Sequence, residues 1–241
     1  MPLKVVGKAL KAEEQDRMDT LKALIFDVDG TLADTEEVHR QAFNIAFQEA
    51  GLEWNWPPGL YSRLLSISGG RERIHHYAKV HGFGSLQPKE PLEFVRRLHL
   101  RKTAHYVRLL EQAQLRLRPG VRRLLEEARG WNIRLAVATC SSTFNMKTLF
   151  DQNLPPDWPS WFEVIATCDV VPEKKPSPAI YDHVLQEMRI FPEECIAIED
   201  TLNGHRAAIA AGIKTLITVH DFTRHHDFEG GSLGSRQSGR G

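Results

Sequence analysis

Five short, apolar and largely β-branched runs are the feature that most limits the fold of this 241-residue chain. Runs of this length, without alternating polar residues, are typical of strands that are buried on both faces of a sheet. Helical patterns lie between the later runs, which favours a Rossmann-like parallel α/β sheet covered by helices on both sides. The runs are Leu21–Phe26, Arg134–Ala138, Val164–Thr167, Cys195–Ile198 and Lys214–Val219.

The helical patterns have apolar residues at the i, i+3, i+4 and i+7 spacing of one helix face. Such faces run from Val121 to Ala128 and from Ile180 to Met188. Gly130 suits the C-terminus of the first helix, because glycine is the residue most often found just after a helix. A third, Ala-rich helix is predicted from Thr201 to Ala211, before Gly212.

The segment between Phe26 and the second strand breaks this alternation, because its pattern is almost wholly helical. We interpret residues 37–103 as a helical cap domain inserted into a core that consists of residues 21–36 and 104–219. An insertion directly after the first strand lies close to the carboxyl edge of the sheet. The cap is therefore expected to act as a lid.

The two ends of the chain are expected to lie outside this core. Residues 1–20 form a polar extension that lacks the apolar centre of a secretory signal, and Met18 is a candidate for the natural start. Residues 220–241 form a tail that ends in a Gly/Ser-rich stretch, and we expect it to be largely disordered.

The charge balance limits the partners of the chain. A formal net charge of zero gives no reason to expect nucleic acid as a partner. The sequence contains no apolar run of about 18 residues, which is the length needed to span a membrane. An odd number of widely spaced cysteines indicates reduced thiols rather than a disulfide framework or a zinc site. We therefore expect a cytoplasmic protein, and a monomer.

The stretch LIFDVDGTL places two carboxylates, Asp27 and Asp29, directly after the first apolar run. One interpretation is a strand that ends in an ordinary Asp-Gly turn. The other is a reactive site, because the carboxyl ends of parallel strands are where such sheets bind ligands. A spacing of two residues places both side chains on the same side of an extended backbone. This motif alone leaves both interpretations open.

Three more polar clusters follow predicted strands. Thr139-Cys140-Ser141-Ser142 could hold a phosphate oxygen at a helix N-terminus, or could simply cap that helix. Lys175, held in an extended backbone by the following proline, could extend its ammonium group to the sheet edge, or could belong to a solvated basic loop. Glu199 and Asp200 end the fourth strand, and together with Asp27 and Asp29 they would bring four acids to one edge. A hard cation such as Mg²⁺ would neutralise this cluster.

The motifs DVDGT, ATCS, KKP and IED, in this order, resemble those of the haloacid dehalogenase superfamily. Longer stretches, among them YSRLLSISGGRERI, KKPSPAIY and IEDTLNG, look like the CbbY-type sugar-bisphosphate phosphatases over about Leu21 to Gly212. This resemblance implies a magnesium-dependent phosphatase associated with carbon fixation, with xylulose 1,5-bisphosphate as the expected substrate.

The resemblance also implies roles for the core residues. Asp27 would attack phosphorus and form an aspartyl-phosphate, and Asp29 would protonate the leaving oxygen and then activate water. Asp27 must therefore start ionised and Asp29 protonated, so their surroundings must separate the two pKa values. Lys175 would offset negative charge, and Thr139 would hold a phosphate oxygen. The implied metal ligands are Asp27, the backbone carbonyl of Asp29, Asp200 and, directly or through water, Glu199.

Substrate contacts are expected mainly from the cap. Arg71 and Arg73 could hold a second phosphate, since arginine binds phosphate in a bidentate manner, but both could also be helix-surface residues. Tyr61 could line the sugar site or belong to the cap core, and His39 could be an exposed helix residue. The predicted substrate-binding set is Glu36, His39, Tyr61, Gly69, Gly70, Arg71, Arg73, Cys140 and Ser141.

Two other enzymes and one binding protein remain as alternatives. The same scaffold could carry a β-phosphoglucomutase-like sugar phosphomutase or a phosphoglycolate-type phosphatase. A protein that only senses a phosphate metabolite would be expected to lack Asp27 or Asp29, and both are present.

Overall fold

The structure is a computed structural model that describes residues 21–228. Within this range, five strands form one sheet in the order β3-β2-β1-β4-β5, and every neighbouring pair is parallel. The predicted α/β class is therefore confirmed. The strands are β1 (Ala23–Phe26), β2 (Arg134–Ala138), β3 (Val164–Ala166), β4 (Cys195–Glu199) and β5 (Lys214–Ile217).

Some strand ends differ from the prediction. β1 begins two residues later than the apolar run, and β5 ends at Ile217 rather than at Val219. The carbonyl groups of Thr218 and Val219 instead accept hydrogen bonds from the guanidinium of Arg118. At these two carbonyls the hydrogen-bond donor is therefore the side chain of Arg118 and not the backbone of a neighbouring strand.

The described part of the chain contains eight α-helices, and five of them lie between β1 and β2. None of the described helices is both long enough and apolar enough to cross a membrane. The helices are α1 (Glu36–Glu49), α2 (Pro58–Leu64), α3 (Gly70–His81), α4 (Pro91–Ala113), α5 (Val121–Gly130), α6 (Thr143–Asn153), α7 (Ala179–Met188) and α8 (Leu202–Ala210).

Both faces of the sheet are buried at β1, β2 and β4, which explains why these strands show no alternation of polar residues. In β1, Leu24 and Phe26 face one apolar cluster that includes residues of α5 and α6. Ala23 and Ile25 face a second cluster on the other side, which includes residues of α7 and α8. Since β1 is the central strand, the residues that follow it lie in the middle of the carboxyl edge.

The cap has an apolar core of its own, but it shares α1 and α4 with the rest of the protein. Val95 and Leu98 of α4 pack in the cap, whereas Tyr106 and Leu110 of the same helix pack against the sheet. The helix runs without interruption across the predicted boundary at residue 103. Two continuous helices therefore join the cap to the core.

Part of the predicted C-terminal tail is packed against the protein. Phe222 contacts the apolar core of the cap, and Thr223 is buried. The sequence shows only polar and histidine-rich residues around Phe222, so these contacts were not expected. The remaining tail, 229–241, and the N-terminal extension, 1–20, which includes Met18, lie outside the described residues.

Candidate active site

A cleft of about 480 Å³ lies between the cap and the carboxyl edge of the sheet. It brings together residues from all four polar motifs of the sequence. Tyr61 and Glu199, of the predicted site residues, are not part of the cleft lining. The predicted residues that line it are Asp27, Asp29, Glu36, His39, Gly69, Gly70, Arg71, Arg73, Thr139, Cys140, Ser141, Lys175 and Asp200.

Lys175 is buried at the centre of the carboxyl edge and makes three hydrogen bonds. Its Nζ donates to Oδ1 of Asp27 at 2.7 Å, to the carbonyl of Ala138 at 2.8 Å and to Oε1 of Glu199. The hydroxyl of Tyr181 donates to the same oxygen of Glu199. Glu199 therefore fixes the lysine, and the lysine in turn orients Asp27.

Gly204 allows the close approach of Glu199 to α8. A Cβ at this position would lie 1.9 Å from Oε2 of Glu199, which is far below any van der Waals contact. The first turn of α8 can thus pack directly over the carboxylate only because residue 204 has no side chain. The glycine of the IEDTLNG motif has a structural reason that the sequence alone did not reveal.

Asp27, Glu199 and Asp200 form a buried cluster whose carboxylate oxygens lie within 4.8 Å of one another. Burial raises the pKa of Asp27 to about 8, although Lys175 opposes this, and Glu199 raises it further. Burial, followed by repulsion from Asp27 and Glu199, also raises the pKa of Asp200 well above its usual range. One lysine does not balance three buried acids. A divalent cation with a preference for oxygen ligands, such as Mg²⁺, fits this donor set.

Asp29 points to the cap side of the cleft, where it accepts two hydrogen bonds at one oxygen. The hydroxyl of Thr35 donates to Oδ1 at 2.7 Å, and Nε2 of His39 lies 3.1 Å from the same atom. Burial alone would raise the pKa of Asp29, but the charge and hydrogen bond of His39, together with hydrogen bonds from Thr35 and Ser141, hold this pKa below its usual range. Nζ of Lys102 lies 2.6 Å from the other nitrogen of His39.

The two pKa values are separated, but in the direction opposite to the starting state that the resemblance implies. Asp27 is the group that favours its protonated form, and Asp29 is the group that favours its ionised form. Asp27 faces two other carboxylates, and a cation at the acid cluster would favour its ionised form. Asp29 faces His39, which favours the ionised carboxylate. For Asp29 to be protonated, as a general acid must be, its contact with His39 has to rearrange.

The loop after β2 lines the cleft and also caps the following helix, which are the two roles that its sequence allowed. The hydroxyl of Thr139 accepts a hydrogen bond from the backbone N–H of Ser141 at 3.1 Å, within the cleft lining. The side chain of Ser142 caps α6, because it accepts from the N–H of Asn145. Capping and cleft formation are therefore divided between neighbouring residues of one motif.

Arg71 and Arg73 lie in different surroundings. Arg71 is exposed at the cleft, where its guanidinium pairs with Glu72 at 3.2 Å. Arg73 is buried, and its guanidinium donates to the carbonyls of Leu64 and Ile67 and to the hydroxyl of Tyr61. Arg73 therefore uses its donors inside the cap.

Tyr61 is buried in the cap and connects Arg73 to the start of α1. Its hydroxyl donates to Oε2 of Glu36 at 2.6 Å.

Gly69 has a φ of +91° and lies against the side chain of Lys174, where a Cβ would be 2.6 Å from Cδ of that lysine. The glycine thus brings the cap loop into direct contact with the loop that carries the lysines.

Several residues in and around the cleft were not predicted from the sequence. Thr35 and Lys102 surround Asp29 and His39, Tyr181 holds Glu199, and His220 contacts Asp200. Asn145 lines the cleft, and its buried Oδ1 has no hydrogen-bond partner among the described residues. Thr35 and Tyr181 lie in stretches that carry the family resemblance, FDVDGTLADTEEVHRQAFN and KKPSPAIY, and could have been found from these motifs.

Comparison with known proteins identifies the family. The family model for haloacid dehalogenase-like hydrolases matches residues 21–212. The chain belongs to the haloacid dehalogenase-like hydrolase family. This membership and the relatives described next make it a phosphoric monoester hydrolase.

The chain is similar to CbbY proteins over most of its length. It is 43% identical over 213 residues to the plasmid CbbY of Cupriavidus necator, covering 88% of this chain and 84% of the relative. The crystal structure of CbbY from Rhodobacter sphaeroides in complex with phosphate superimposes with a TM-score of 0.80 at 42% identity, covering 88% of this chain and 92% of that one. A mutant of the same protein, solved with xylulose 1,5-bisphosphate, gives a TM-score of 0.79 at the same identity and coverage.

Proposed function

We propose that the chain is a Mg²⁺-dependent phosphatase that hydrolyses xylulose 1,5-bisphosphate through an aspartyl-phosphate on Asp27. The observation that carries this proposal is the buried group of Asp27, Lys175 and Asp200 at the bottom of a cleft covered by the cap. The similarity to CbbY of Rhodobacter sphaeroides, which has been crystallised with this bisphosphate, supports the choice of substrate. A cytoplasmic location and a monomeric state remain predictions.

Asp27, the backbone carbonyl of Asp29 and Asp200 would hold the Mg²⁺ ion, with Glu199 adding negative charge beside them. The bound ion would supply positive charge that neutralises the acids and the phosphoryl oxygens. Lys175 holds Asp27 through a direct hydrogen bond, which fixes one carboxylate oxygen and leaves the other to attack phosphorus. The attack forms the aspartyl-phosphate and releases the sugar oxygen.

Asp29 would move the proton in both half-reactions. It donates a proton to the leaving sugar oxygen, and it then takes a proton from the water that hydrolyses the aspartyl-phosphate. Thr35 and His39 both contact Oδ1 of this carboxylate. The ionised state that these contacts favour suits the second half-reaction, in which Asp29 is the base.

The cap would select the substrate. A cleft of about 480 Å³ is within the usual range for small-molecule sites. Arg71 is the exposed arginine of the cap loop at this cleft, and we propose that it leaves Glu72 to bind the second phosphate. Glu36 and His39, which also line the cleft, would contact the sugar hydroxyls.

The test is a phosphate-release assay with xylulose 1,5-bisphosphate and with pentulose and hexose mono- and bisphosphates. We expect the highest kcat/KM for xylulose 1,5-bisphosphate, no turnover in EDTA, and no turnover in Asp27→Asn. Phosphoglycolate as the preferred substrate would favour the phosphoglycolate-type alternative.

A second assay separates hydrolysis from phosphoryl transfer between sugar oxygens. The enzyme is incubated with a hexose 1-phosphate and the corresponding bisphosphate, and both the isomeric product and free phosphate are measured. Formation of the isomer without release of phosphate would contradict the proposed phosphatase and favour the mutase.

A further inference from the structure

Residues 220–226, called the C-terminal strap here, lie between the acid cluster and the cap. His220 begins the strap, and its Nε2 lies 2.9 Å from Oδ2 of Asp200. The other ring nitrogen, Nδ1, accepts a hydrogen bond from the backbone N–H of Phe222 at 3.3 Å. An accepting Nδ1 places the ring proton on Nε2. His220 therefore donates to the carboxylate of Asp200.

Gly30 fits closely against this pair. The glycine has a φ of +79°, and a Cβ there would lie 2.4 Å from Oδ2 of Asp200 and 2.6 Å from Nε2 of His220. The hydroxyl of Thr31 lies 3.3 Å from the other oxygen, Oδ1, of Asp200. The carboxylate is thus held in one orientation by a histidine, by a turn that has room only for glycine, and by a long contact to a hydroxyl.

The other end of the strap is attached to the cap. The hydroxyl of Ser62, in α2, donates to the carbonyl of Phe222 at 2.6 Å and lies 3.2 Å from Nε2 of His225. The ring of Phe222 also packs edge-on against the ring of Tyr61, with centroids 5.5 Å apart. Phe222 thus bonds to His220 through its N–H and to the cap through its carbonyl and its ring.

We propose that His220 is a positioning residue for Asp200, and that the strap couples divalent-cation binding at Asp200 to the attachment of the cap. This inference rests on the metal site of the proposed function. Hydrogen bonds to metal-binding carboxylates orient these ligands, and their loss typically weakens metal affinity about 10- to 100-fold. Because coupling between two sites is reciprocal, a strap that holds the cap should strengthen cation binding, and the cation should strengthen the attachment of α2.

The test measures Mg²⁺ affinity by isothermal titration calorimetry on the full chain after EDTA has been removed. His220→Leu deletes the ring donor, whereas His220→Gln keeps an N–H donor at a comparable distance from the backbone. Ser62→Ala removes the hydrogen-bonded part of the attachment to the cap without touching the acid cluster. Ser66→Ala is the matched control, because the only hydrogen bond of this exposed hydroxyl among the described residues is to the carbonyl of Arg63, within the cap. Circular dichroism melting checks that all variants are folded.

We expect Mg²⁺ affinity to fall about 10- to 100-fold in His220→Leu and to return to within about threefold of wild type in His220→Gln. Ser62→Ala should lose about 3- to 10-fold, as one lost hydrogen bond predicts, and Ser66→Ala should lose none. Amide hydrogen exchange in α2 should slow on addition of Mg²⁺ in the wild type and in Ser66→Ala, but not in Ser62→Ala.

Equal Mg²⁺ affinity in His220→Leu and wild type would overturn the positioning role. Equal Mg²⁺ affinity and equal hydrogen exchange of α2 in Ser62→Ala and Ser66→Ala would overturn the coupling to the cap. In both cases the proposed phosphatase would stand. A wild-type protein that binds no Mg²⁺ would overturn the metal dependence of the proposed function and this inference together.

Discussion

Nζ of Lys175 lies 2.7 Å from Oδ1 of Asp27, in a part of the protein from which solvent is almost excluded. Burial by itself would lower the pKa of the lysine, but the adjacent carboxylates of Asp27 and Glu199 raise it well above its usual value. Lys175 is therefore charged at neutral pH. It supplies a fixed positive charge beside the oxygen atoms that would react.

Replacement of Lys175 by Met is expected to lower kcat by about 10²- to 10³-fold, because it removes a preorganised donor from the reacting group. The unpaired buried carboxylates should also cost about 3–5 kcal/mol of stability. Lys174→Met is the matched control, since Lys174 lies at the cleft but is only partly buried. Phosphate release and melting temperature are measured for both variants. A similar loss of kcat in the control would contradict the role given to Lys175.

Arg71→Ala is expected to reduce the preference for bisphosphates. A charge-assisted contact to the second phosphate contributes about 1.5–3 kcal/mol, so kcat/KM for the bisphosphate should fall about 10- to 100-fold, with little change for a monophosphate. The ratio of kcat/KM for the two substrates is the quantity to measure. An unchanged ratio would exclude Arg71 as the second-phosphate ligand.

Arg73→Ala should behave differently, because the donors of Arg73 are already bonded to Leu64, Ile67 and Tyr61. Loss of these bonds should lower the free energy of unfolding by about 3 kcal/mol and the melting temperature by about 6–12 °C. The substrate preference of the folded variant should remain. Selective loss of bisphosphate hydrolysis would show that Arg73 turns into the cleft when substrate binds.

The sequence predicted the fold and the convergence of its polar motifs for one physical reason. Parallel strands end at a common edge, so polar residues that follow Phe26, Ala138 and Ile198 must meet there if the strands are assigned correctly. Short apolar runs flanked by helical patterns made that assignment possible, and β2 was predicted at its observed bounds.

Contacts between distant segments could not be predicted in this way. Lys102 is 63 positions from His39, and His220 is 20 positions from Asp200, with no motif that links either pair. The order of the pKa values of Asp27 and Asp29 depends on burial and on neighbours supplied by other elements, which a sequence pattern does not contain.

Gly204→Ala tests whether the position of Glu199 matters for catalysis. The new Cβ would meet the carboxylate at 1.9 Å, so Glu199 must move away from Lys175. Such overpacking costs about 1–3 kcal/mol, and kcat should fall together with the melting temperature. Gly59→Ala is the control, because nothing lies within 4 Å of its Cβ position in α2. That variant should gain about 0.4–1 kcal/mol and keep wild-type activity. Unchanged kcat in Gly204→Ala would show that Glu199 tolerates displacement.

Lys102 predicts a specific dependence of stability on pH. Burial lowers its pKa from the ordinary value of 10.5 to about 7. Between these values the unfolded chain binds a proton that the folded protein does not, so the free energy of unfolding rises with pH across this window. The buried ammonium therefore costs stability fully below about pH 7, and this cost is relieved as pH approaches 10.5. Lys102→Met should remove this contribution.

The measurement is urea unfolding of wild type and Lys102→Met in EDTA, at several pH values from 7.5 to 10. Asp27, with a pKa of about 8, titrates in both proteins, so the difference between their free energies of unfolding isolates Lys102. His39 stays neutral in this range, because burial and then Lys102 hold its pKa below 6.5. The free energy of unfolding of wild type should increase by on the order of a few kcal/mol relative to that of Lys102→Met as pH rises.

Lys79→Met, at an exposed position of α3, should show no such trend. A difference that stays flat with pH would mean that Lys102 keeps its proton in the folded protein, stabilised by Asp29 and Glu36 across the cleft.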